Sequence, residues 1–205
     1  MIRIGILGDI GSGKSYVAKK FGFPVFNADK EVGNIYKKSR KCFKKLRRTF
    51  PNYTFSFPIK RKDLSKIVID NQNNIKKINK IVHPEVRLRM KKFFKKNKNK
   101  KVVVLDIPLL LEGKINNKND ILIFVEAKKK DIKKKLIKRK NYNRKVFNKL
   151  KKLQLPLEIK KKKSDFVIKN NFISLSINKS VKIVKNKIIK NERNSSRYWN
   201  NWPWN

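Results

Sequence analysis

The sequence predicts an α/β fold in which a parallel sheet is flanked by helices. Two runs, at 102–105 and 121–125, are apolar throughout, as central parallel strands are. Apolar residues at steps of three and four predict helices between the strands, most clearly over 61–97. Because strands and helices alternate along the chain, helical crossovers between parallel strands are the expected connections.

A glycine-rich loop follows the first predicted strand, 2–7, and precedes a helical stretch. Residues 8–15 read Gly-Asp-Ile-Gly-Ser-Gly-Lys-Ser, the complete G-x-x-x-x-G-K-S spacing of a phosphate-binding P-loop. Its glycines allow backbone conformations that a Cβ would exclude, and its N–H groups with the helix N-terminus form an anion site. Lys14 is predicted to reach the β- and γ-phosphates, and Ser15 to ligate Mg²⁺. An ordinary glycine turn before a helix is the alternative.

Two aspartates follow predicted strands. Asp29 comes just after the short strand at 24–26, and Asp106 directly follows the strand at 102–105. Since ligands of open α/β sheets bind at the carboxyl ends of the strands, both are expected near the phosphates. Asp29 is a candidate general base or water-mediated Mg²⁺ ligand, or the N-cap of the next helix. Asp106 is a candidate outer-sphere Mg²⁺ ligand or a turn residue.

The remaining elements are predicted from the same patterns. Within 61–97 an Asn-rich patch separates two helices, and a further helix is predicted to begin at His83-Pro84. The other predicted elements are helices at 30–50, 128–140 and 176–190, a strand at 165–168, and a polar, mobile segment at 141–157. The tail at 191–205 holds Trp199, Trp202 and Trp204 and is predicted to be disordered or appended.

The charge of the chain is strongly positive, with 57 Lys and Arg against 14 Asp and Glu, a net charge of +43. A polyanionic partner such as nucleic acid is one explanation. Compositional bias is the favoured one, because Lys, Asn and Ile are abundant together and the lysines are spread along the chain. On either view the positive field attracts anionic substrates and makes their association salt-sensitive.

The sequence contains no apolar run long enough to cross a bilayer, and its first residues lack a signal-peptide pattern. These features predict a cytoplasmic protein that does not contact the membrane. Cys42 is the only cysteine, which excludes an internal disulfide and a zinc site built from cysteines.

The chain resembles the dephospho-coenzyme A kinase family over about residues 2–188. The P-loop alone would indicate only a superfamily. The more specific motifs are Asn27-Ala28-Asp29, His83-Pro84, Asp106-Ile107-Pro108-Leu109-Leu110-Leu111-Glu112, Lys138-Arg139, and the segments 154–160 and 164–171.

The resemblance implies transfer of the ATP γ-phosphate to the ribose 3′-hydroxyl of dephospho-coenzyme A, with Mg²⁺ as cofactor. It implies one P-loop kinase domain over 1–190. Its parts would be a nucleotide-binding core at 1–58, 101–140 and 158–190, a helical substrate-binding insert at about 59–100, and a lid at about 141–157. The implied partners are ATP and dephospho-coenzyme A, nucleic acid is not an expected partner, and no oligomeric state is implied.

The resemblance also implies individual roles. Asp29 would be the catalytic base, and Lys14 and Arg139 would stabilise the transferring phosphoryl group. The implied ATP-binding residues are Gly11, Ser12, Gly13, Lys14, Ser15 and Tyr16. The implied acceptor-binding residues are Arg61, His83, Pro108, Leu109, Leu110 and Glu112. Ser15 would ligate Mg²⁺, with Asp29 or Asp106 acting through water. His83 as a helix-start residue and leucines 109–111 as ordinary packing residues are the structural alternatives.

Four positions depart from the family pattern. Asn27 stands where an aspartate is usual, Asp9 where a glycine is usual, Tyr16 where a small hydroxyl residue is usual, and Lys140 where an acidic residue is usual.

Two other functions stay open at this point. One is a P-loop kinase acting on a nucleoside or nucleotide, and the other is a basic nucleic-acid-binding protein.

Overall fold

The computed structural model describes residues 1–53, 55–71, 73–138 and 142–194, the side chains of residues 61 and 191–194 excepted. The strands in these residues are β1 (Ile2–Gly8), β2 (Val25–Asn27), β3 (Val102–Asp106), β4 (Ile121–Glu126) and β5 (Phe166–Lys169). The helices in these residues are α1 (Lys14–Lys20), α2 (Ala28–Lys38), α3 (Arg40–Thr49), α4 (Arg61–Asp70), α5 (Asn74–Lys96), α6 (Lys129–Ile137), α7 (Arg144–Lys151), α8 (Leu157–Lys162) and α9 (Ser174–Asn194).

The strands form one parallel sheet in the order β2-β3-β1-β4-β5. After the central strand β1 the chain moves to the edge strand β2, returns through β3, and then crosses to β4 on the other side of β1. The carboxyl ends of all five strands therefore lie along one edge of the sheet. Open α/β sheets bind ligands at this edge, where the direction of the connections reverses. The predicted fold, a parallel sheet flanked by helices, is confirmed.

Both faces of the sheet are covered by apolar side chains. Ile4 and Ile6 of β1 pack with residues of α1 and α9 on one face. Leu7, the next residue along, belongs to a cluster on the other face that includes Phe93 of α5. A strand covered on both faces needs apolar residues at successive positions rather than at alternate ones. This explains why β3 and β4 are visible in the sequence as continuous hydrophobic runs.

A further hydrophobic cluster joins α2, α3, α4 and α5, the helices that follow β2 and precede β3 in the chain. Its fully buried members include Ile35, Leu46 and Ile67. Each buried side chain of this kind stabilises the fold by roughly 1.5–3 kcal/mol relative to exposure. The ion pair between Arg89 and Glu31, with N and O atoms 3.0 Å apart, adds a polar link between α5 and α2.

One local prediction differs from the structure. The prediction that a new helix begins at His83-Pro84 is wrong, because α5 runs without interruption from Asn74 to Lys96 with Pro84 inside it. Pro84 lacks one helical N–H donor, but Ile78 and Val82 before it and Phe93 after it are packed in the core clusters and hold both halves in one helix.

The segment 141–157, predicted to be polar and mobile, contains the helix α7, which the sequence pattern did not predict. The Asn143 side chain caps this helix by accepting a hydrogen bond from the N–H of Val146 at 3.1 Å. Lys149 Nζ then donates to the carbonyl oxygens of Val68 and Ile69, at 2.9 and 2.6 Å, near the C-terminus of α4.

The three tryptophans of the tail lie outside the described residues. Over those residues, no helix combines the length and the apolar character that a bilayer crossing requires.

Candidate active site

The P-loop connects the central strand β1 to the N-terminus of α1. Gly13 is the N-cap of α1, with a φ of 90°, and Gly8 at the start of the loop has a φ of 143°. A Cβ at Gly8 would lie 2.6 Å from the carbonyl oxygen of Val125, and one at Gly13 would collide with the Asn170 side chain. Both positions therefore require glycine on conformational and on steric grounds.

Lys14 is buried at the base of this loop. Its Nζ donates hydrogen bonds to the carbonyl oxygens of Asp9, at 2.7 Å, and Gly8, at 3.2 Å. Burial lowers the pKa of Lys14 to about 8, the nearby Asp106 carboxylate opposes this effect, and the ammonium of Lys160 adds to it. Asp9 and Asp29 also raise the pKa of Lys14. The structure thus brings three acidic and two basic side chains together around the loop.

Asp9, one of the departures from the family pattern, is part of the loop structure. Its Oδ1 accepts a hydrogen bond from the N–H of Ile10 at 2.7 Å, and its carbonyl oxygen accepts one from the N–H of Ser12 at 3.2 Å. The Asp9 side chain is buried, so these bonds fix the first turn of the loop. Ser12 Oγ is buried without a hydrogen-bond partner among the described residues. An unsatisfied hydroxyl inside a glycine loop suits a ligand with acceptor oxygens.

Asp106 lies at the carboxyl end of β3, beside β2 and Asn27. It is buried, and Asn27 Nδ2 donates a hydrogen bond to its Oδ2. Asn27 Oδ1 accepts from the N–H of Lys30 at 2.7 Å and so caps α2. Asn27, and not Asp29, is therefore the N-cap of this helix. Asp29 is exposed in the first turn of α2, where its carboxylate contributes to the electrostatic field at Lys14.

Asn170 is a site residue that the sequence reasoning did not single out. It follows β5, is buried, and donates from Nδ2 to the carbonyl oxygen of Ser12 at 2.7 Å. Its own N–H bonds the carbonyl oxygen of Glu126 at 2.7 Å, and its Oδ1 accepts from the N–H of Phe172 at 2.7 Å. Asn170 therefore fixes the P-loop to the end of the edge strand. Its presence in the motif segment 164–171 was the only signal for it in the sequence.

Lys160 is a second such residue. It lies in α8 and is 1% exposed, and its Nζ is 2.7 Å from Glu112 Oε1. The same oxygen accepts a hydrogen bond from the N–H of Leu155 at 2.9 Å. No periodicity singled out Lys160, because it stands within a run of four lysines.

The predicted acceptor residues have mixed surroundings. Pro108 and Leu109 are half-buried at the carboxyl end of β3, where an acceptor is able to reach them. Leu110 is fully buried against Gly5 of β1, as its alternative role in packing requires, and its contact with an acceptor stays a prediction. His83 is exposed near the middle of α5, and partial desolvation together with Arg87 lowers its pKa.

Two predicted arginines lie outside the described part. Arg61 begins α4, but its side chain is not described, and Arg139 falls between the described residues. Lys140 is outside them as well. Tyr16 lies in α1, where its N–H donates to the carbonyl oxygen of Gly13 at 3.0 Å and its hydroxyl is 2.7 Å from Ser174 Oγ. Its ring therefore packs toward α9, which gives it the space that its size requires.

A cavity of about 190 Å³ lies beside the loop, next to Gly13. Its lining residues are Asp131, Lys134, Lys135, Lys138, Asn171 and Phe172. Lys135 Nζ is 5.4 Å from the centre of the Phe172 ring. A larger depression of about 550 Å³ lies at the opposite end of the sheet, near Gly22 and Lys101, and contains none of the groups gathered around Lys14. The smaller cavity is the one related to the P-loop.

The oxygen donors of the site suit Mg²⁺. Ser15 stands at the start of α1 with an exposed side chain, and Asp29 and Asp106 lie on the neighbouring element ends. Hydroxyl and carboxylate oxygens are the ligands that Mg²⁺ takes in phosphate-binding sites, where it retains several waters. Over the described residues, no three His, Cys, Asp or Glu side chains form a cluster of the kind that holds a metal by itself.

Comparisons with known proteins agree with this geometry. The family model for dephospho-CoA kinase matches residues 2–175. The curated dephospho-CoA kinase of Bartonella quintana is 33% identical over 170 residues, which are 80% of this chain and 87% of that protein. The enzyme of the same name from Fusobacterium nucleatum is 36% identical over 173 residues, 82% of this chain and 89% of that protein.

Solved structures share the fold. A Thermus thermophilus crystal structure matches with a TM-score of 0.74 and 27% identity, over 92% of this chain and 97% of that one. The Campylobacter jejuni dephospho-CoA kinase matches with a TM-score of 0.60 and 23% identity, over 91% and 96% of the two chains. The parallel sheet with a lysine-bearing glycine loop after its central strand defines a P-loop nucleotide-binding protein. Within that class, the chain belongs to the dephospho-CoA kinase family.

Proposed function

We propose that this protein transfers the γ-phosphoryl group of ATP to the ribose 3′-hydroxyl of dephospho-coenzyme A, giving coenzyme A and ADP. The observation that supports it best is the convergence of Lys14, Asp29 and Asp106 at the carboxyl edge of the sheet, in a chain of this family. We propose that the reaction takes place in the cytoplasm, as expected from the sequence pattern.

The triphosphate of ATP binds to the P-loop in this proposal. The loop amides of Gly11, Ser12 and Gly13 face the phosphates, the positive end of α1 attracts them, and Lys14 adds its ammonium. The cavity lined by Phe172 and Lys135 receives the adenine, since an aromatic face and a lysine stem offer stacking and apolar contact. The hydroxyl of Tyr16 points toward α9, so we assign Tyr16 a structural role beside the site.

Asp29 acts as the general base. Its carboxylate takes the proton of the 3′-hydroxyl as the ribose oxygen forms a bond to the γ-phosphorus. The bond between the γ-phosphorus and the β–γ bridging oxygen breaks, and its electron pair leaves with ADP. The exposure of Asp29 at the start of α2 supports this role, because an acceptor is able to reach it. Lys14 and Arg139 stabilise the negative charge on the transferring group.

Mg²⁺ fits the site through the Ser15 hydroxyl, with Asp29 or Asp106 contacting it through water. The bound metal would supply positive charge that offsets part of the negative charge of the phosphates. Asn27 holds Asp106 in place for this contact through the hydrogen bond described above.

The acceptor binds against the segment after β3 and the helices between β2 and β3. Pro108 and Leu109 offer an apolar surface for the pantetheine arm, and His83, Arg61 and Glu112 are the further acceptor contacts of this proposal. We propose that residues 59–100 form the substrate-binding insert and residues 141–157 the lid. The contact from Lys149 of α7 to the end of α4 supports a lid that approaches this insert. Closure of a lid excludes water, which otherwise competes as acceptor.

The direct test is an acceptor panel with radiolabelled ATP and Mg²⁺. Dephospho-coenzyme A, adenosine, AMP and shikimate are offered at equal concentration, and labelled products are separated by chromatography. We expect labelled coenzyme A, and no labelled product above background with the Lys14→Ala variant. Phosphorylation of a nucleoside or nucleotide without any labelled coenzyme A would refute the proposal.

A further inference from the structure

Lys160 differs from the other lysines of its helix in being buried. Lys161 and Lys162 on the same helix are exposed, whereas Lys160 is 1% exposed and 2.7 Å from Glu112 Oε1. Burial of an ammonium is costly unless a partner of opposite charge is present. The lysine-rich composition of the chain explains exposed lysines, but it does not explain why this one is buried.

The ion pair connects two segments that border the site. Glu112 lies in the turn that follows β3, close after Pro108 and Leu109. Its Oε1 forms the ion pair with Lys160 Nζ and also accepts a hydrogen bond from the N–H of Leu155, which precedes α8. Leu157, at the start of α8, packs against the apolar cluster that contains Leu110 and Leu7. The pair thus fixes the end of the 141–157 segment to the turn that carries the proposed acceptor surface.

Lys160 also adds positive charge near the P-loop. Its ammonium lies close enough to Lys14 to act on that group, together with the carboxylates of Asp9, Asp29 and Asp106. Two buried ammonium groups near each other repel, and the attraction of each to a polyphosphate bound beside them outweighs that repulsion.

We propose that Lys160 is a positioning residue for phosphoryl transfer. Paired with Glu112, it fixes the turn after β3 to the start of α8 and supplies a second buried positive charge near Lys14. This inference rests on the proposed function for its acceptor, but its effect on ATP binding is independent of which acceptor is used.

The test compares four variants of the full chain, and the matched control is Lys161→Met. Lys161 is the next residue of the same helix and is also 2.7 Å from a glutamate oxygen, that of Glu126, but it is 48% exposed. We expect Lys160→Met to lower kcat by about tenfold to a hundredfold and to weaken ATP binding by about tenfold. Lys161→Met should leave kcat, ATP affinity and the melting temperature unchanged. Lys160→Arg, which retains the charge, should recover part of kcat.

The double variant Lys160→Met with Glu112→Gln separates positioning from mere stability. It contains no unpaired buried charge, and the Gln retains an oxygen for the N–H of Leu155. We expect its melting temperature to return toward that of the wild type while ATP affinity and kcat stay low. If the double variant regains wild-type ATP affinity and kcat, Lys160 is only a structural partner of Glu112 and the inference is wrong.

Two measurements keep this outcome distinct from failure of the proposed function. ATP affinity is measured by calorimetry without any acceptor, and kcat is measured with dephospho-coenzyme A. If the wild type does not phosphorylate dephospho-coenzyme A, the proposed function fails, and the ATP affinities alone decide on Lys160. Unchanged affinity in Lys160→Met would then overturn the inference, and a loss absent from Lys161→Met would support it.

Discussion

Asn27 shows how a single departure from the family pattern fits this site. Its side chain caps α2 through Oδ1 and donates to Asp106 through Nδ2. An aspartate would also cap the helix but has no donor for Asp106, and it would place two carboxylates in contact. The Asn27 amide therefore holds Asp106 in position without adding negative charge. Asp29 is then the one carboxylate among residues 27–29.

Asp29→Asn tests the proposed base. We expect kcat to fall by about a hundredfold to ten-thousandfold, because the amide does not accept the proton of the ribose hydroxyl. ATP affinity should change little, since Asp29 is exposed and Lys14 and the loop amides, which bind the phosphates in this proposal, are unchanged. Steady-state kinetics with dephospho-coenzyme A and calorimetry with ATP measure the two effects.

Asp63→Asn is the control for this variant, because Asp63 is also an acidic residue in the first turn of a helix, α4. It should retain wild-type kcat. A near-normal kcat in Asp29→Asn would exclude Asp29 as the base, and an equal loss in both variants would indicate a general effect of lost negative charge.

At the scale of elements, α5 is the helix that differs most from its prediction. Pro84 interrupts the backbone hydrogen bonds in the middle of a 23-residue helix, a position where proline is unfavourable. The helix persists because apolar residues on both sides of Pro84 are packed in the core. A proline at this position lowers the stability of the helix, and its place directly after His83 points to a role in the site rather than in stability.

Pro84→Ala is therefore expected to stabilise the protein. The gain should approach, without exceeding, about 3 kcal/mol, the cost of proline inside a helix. Urea denaturation followed by circular dichroism measures it, and the KM for dephospho-coenzyme A is expected to rise if the backbone at His83 serves the acceptor. Pro51→Ala, in the turn after α3, is the control outside a helix. A lower midpoint for Pro84→Ala than for the wild type would contradict this account.

The strands and the P-loop were predictable because their signals are local. A buried parallel strand is apolar at every position, and the glycine loop has a fixed spacing of residue types. The contacts that complete the site are not local. Asn170 bonds Ser12 across 158 positions of the chain, and Lys160 meets Glu112 only after α8 has packed against the sheet. No periodicity or spacing encodes such pairs, and one lysine among four gives no sign of being buried.

At the scale of the whole molecule, the net charge of +43 surrounds a site that binds polyanions. Acidic groups at the site offset part of this field locally, but the exposed lysines act over distances limited by ionic screening. The field should mainly increase the rate at which ATP and the acceptor associate with the protein.

We therefore expect kcat/KM for ATP to fall as ionic strength rises from 0.02 to 0.5 M, roughly tenfold or more, while kcat changes less. Initial rates in NaCl at constant Mg²⁺ measure this dependence. Sucrose solutions of equal viscosity control for slower diffusion. A kcat/KM that does not change with salt would show that the positive surface does not assist substrate association.

The bond from Asn170 to the P-loop has a consequence for biosynthesis. The ribosome completes the glycine loop well before Asn170, and the amide that anchors the loop is present only after residue 170 has been translated. A nascent chain that stops before this residue consequently lacks a finished nucleotide pocket. Such fragments should neither retain ATP nor hydrolyse it wastefully, so competence for catalysis arises only after Asn170 has been added.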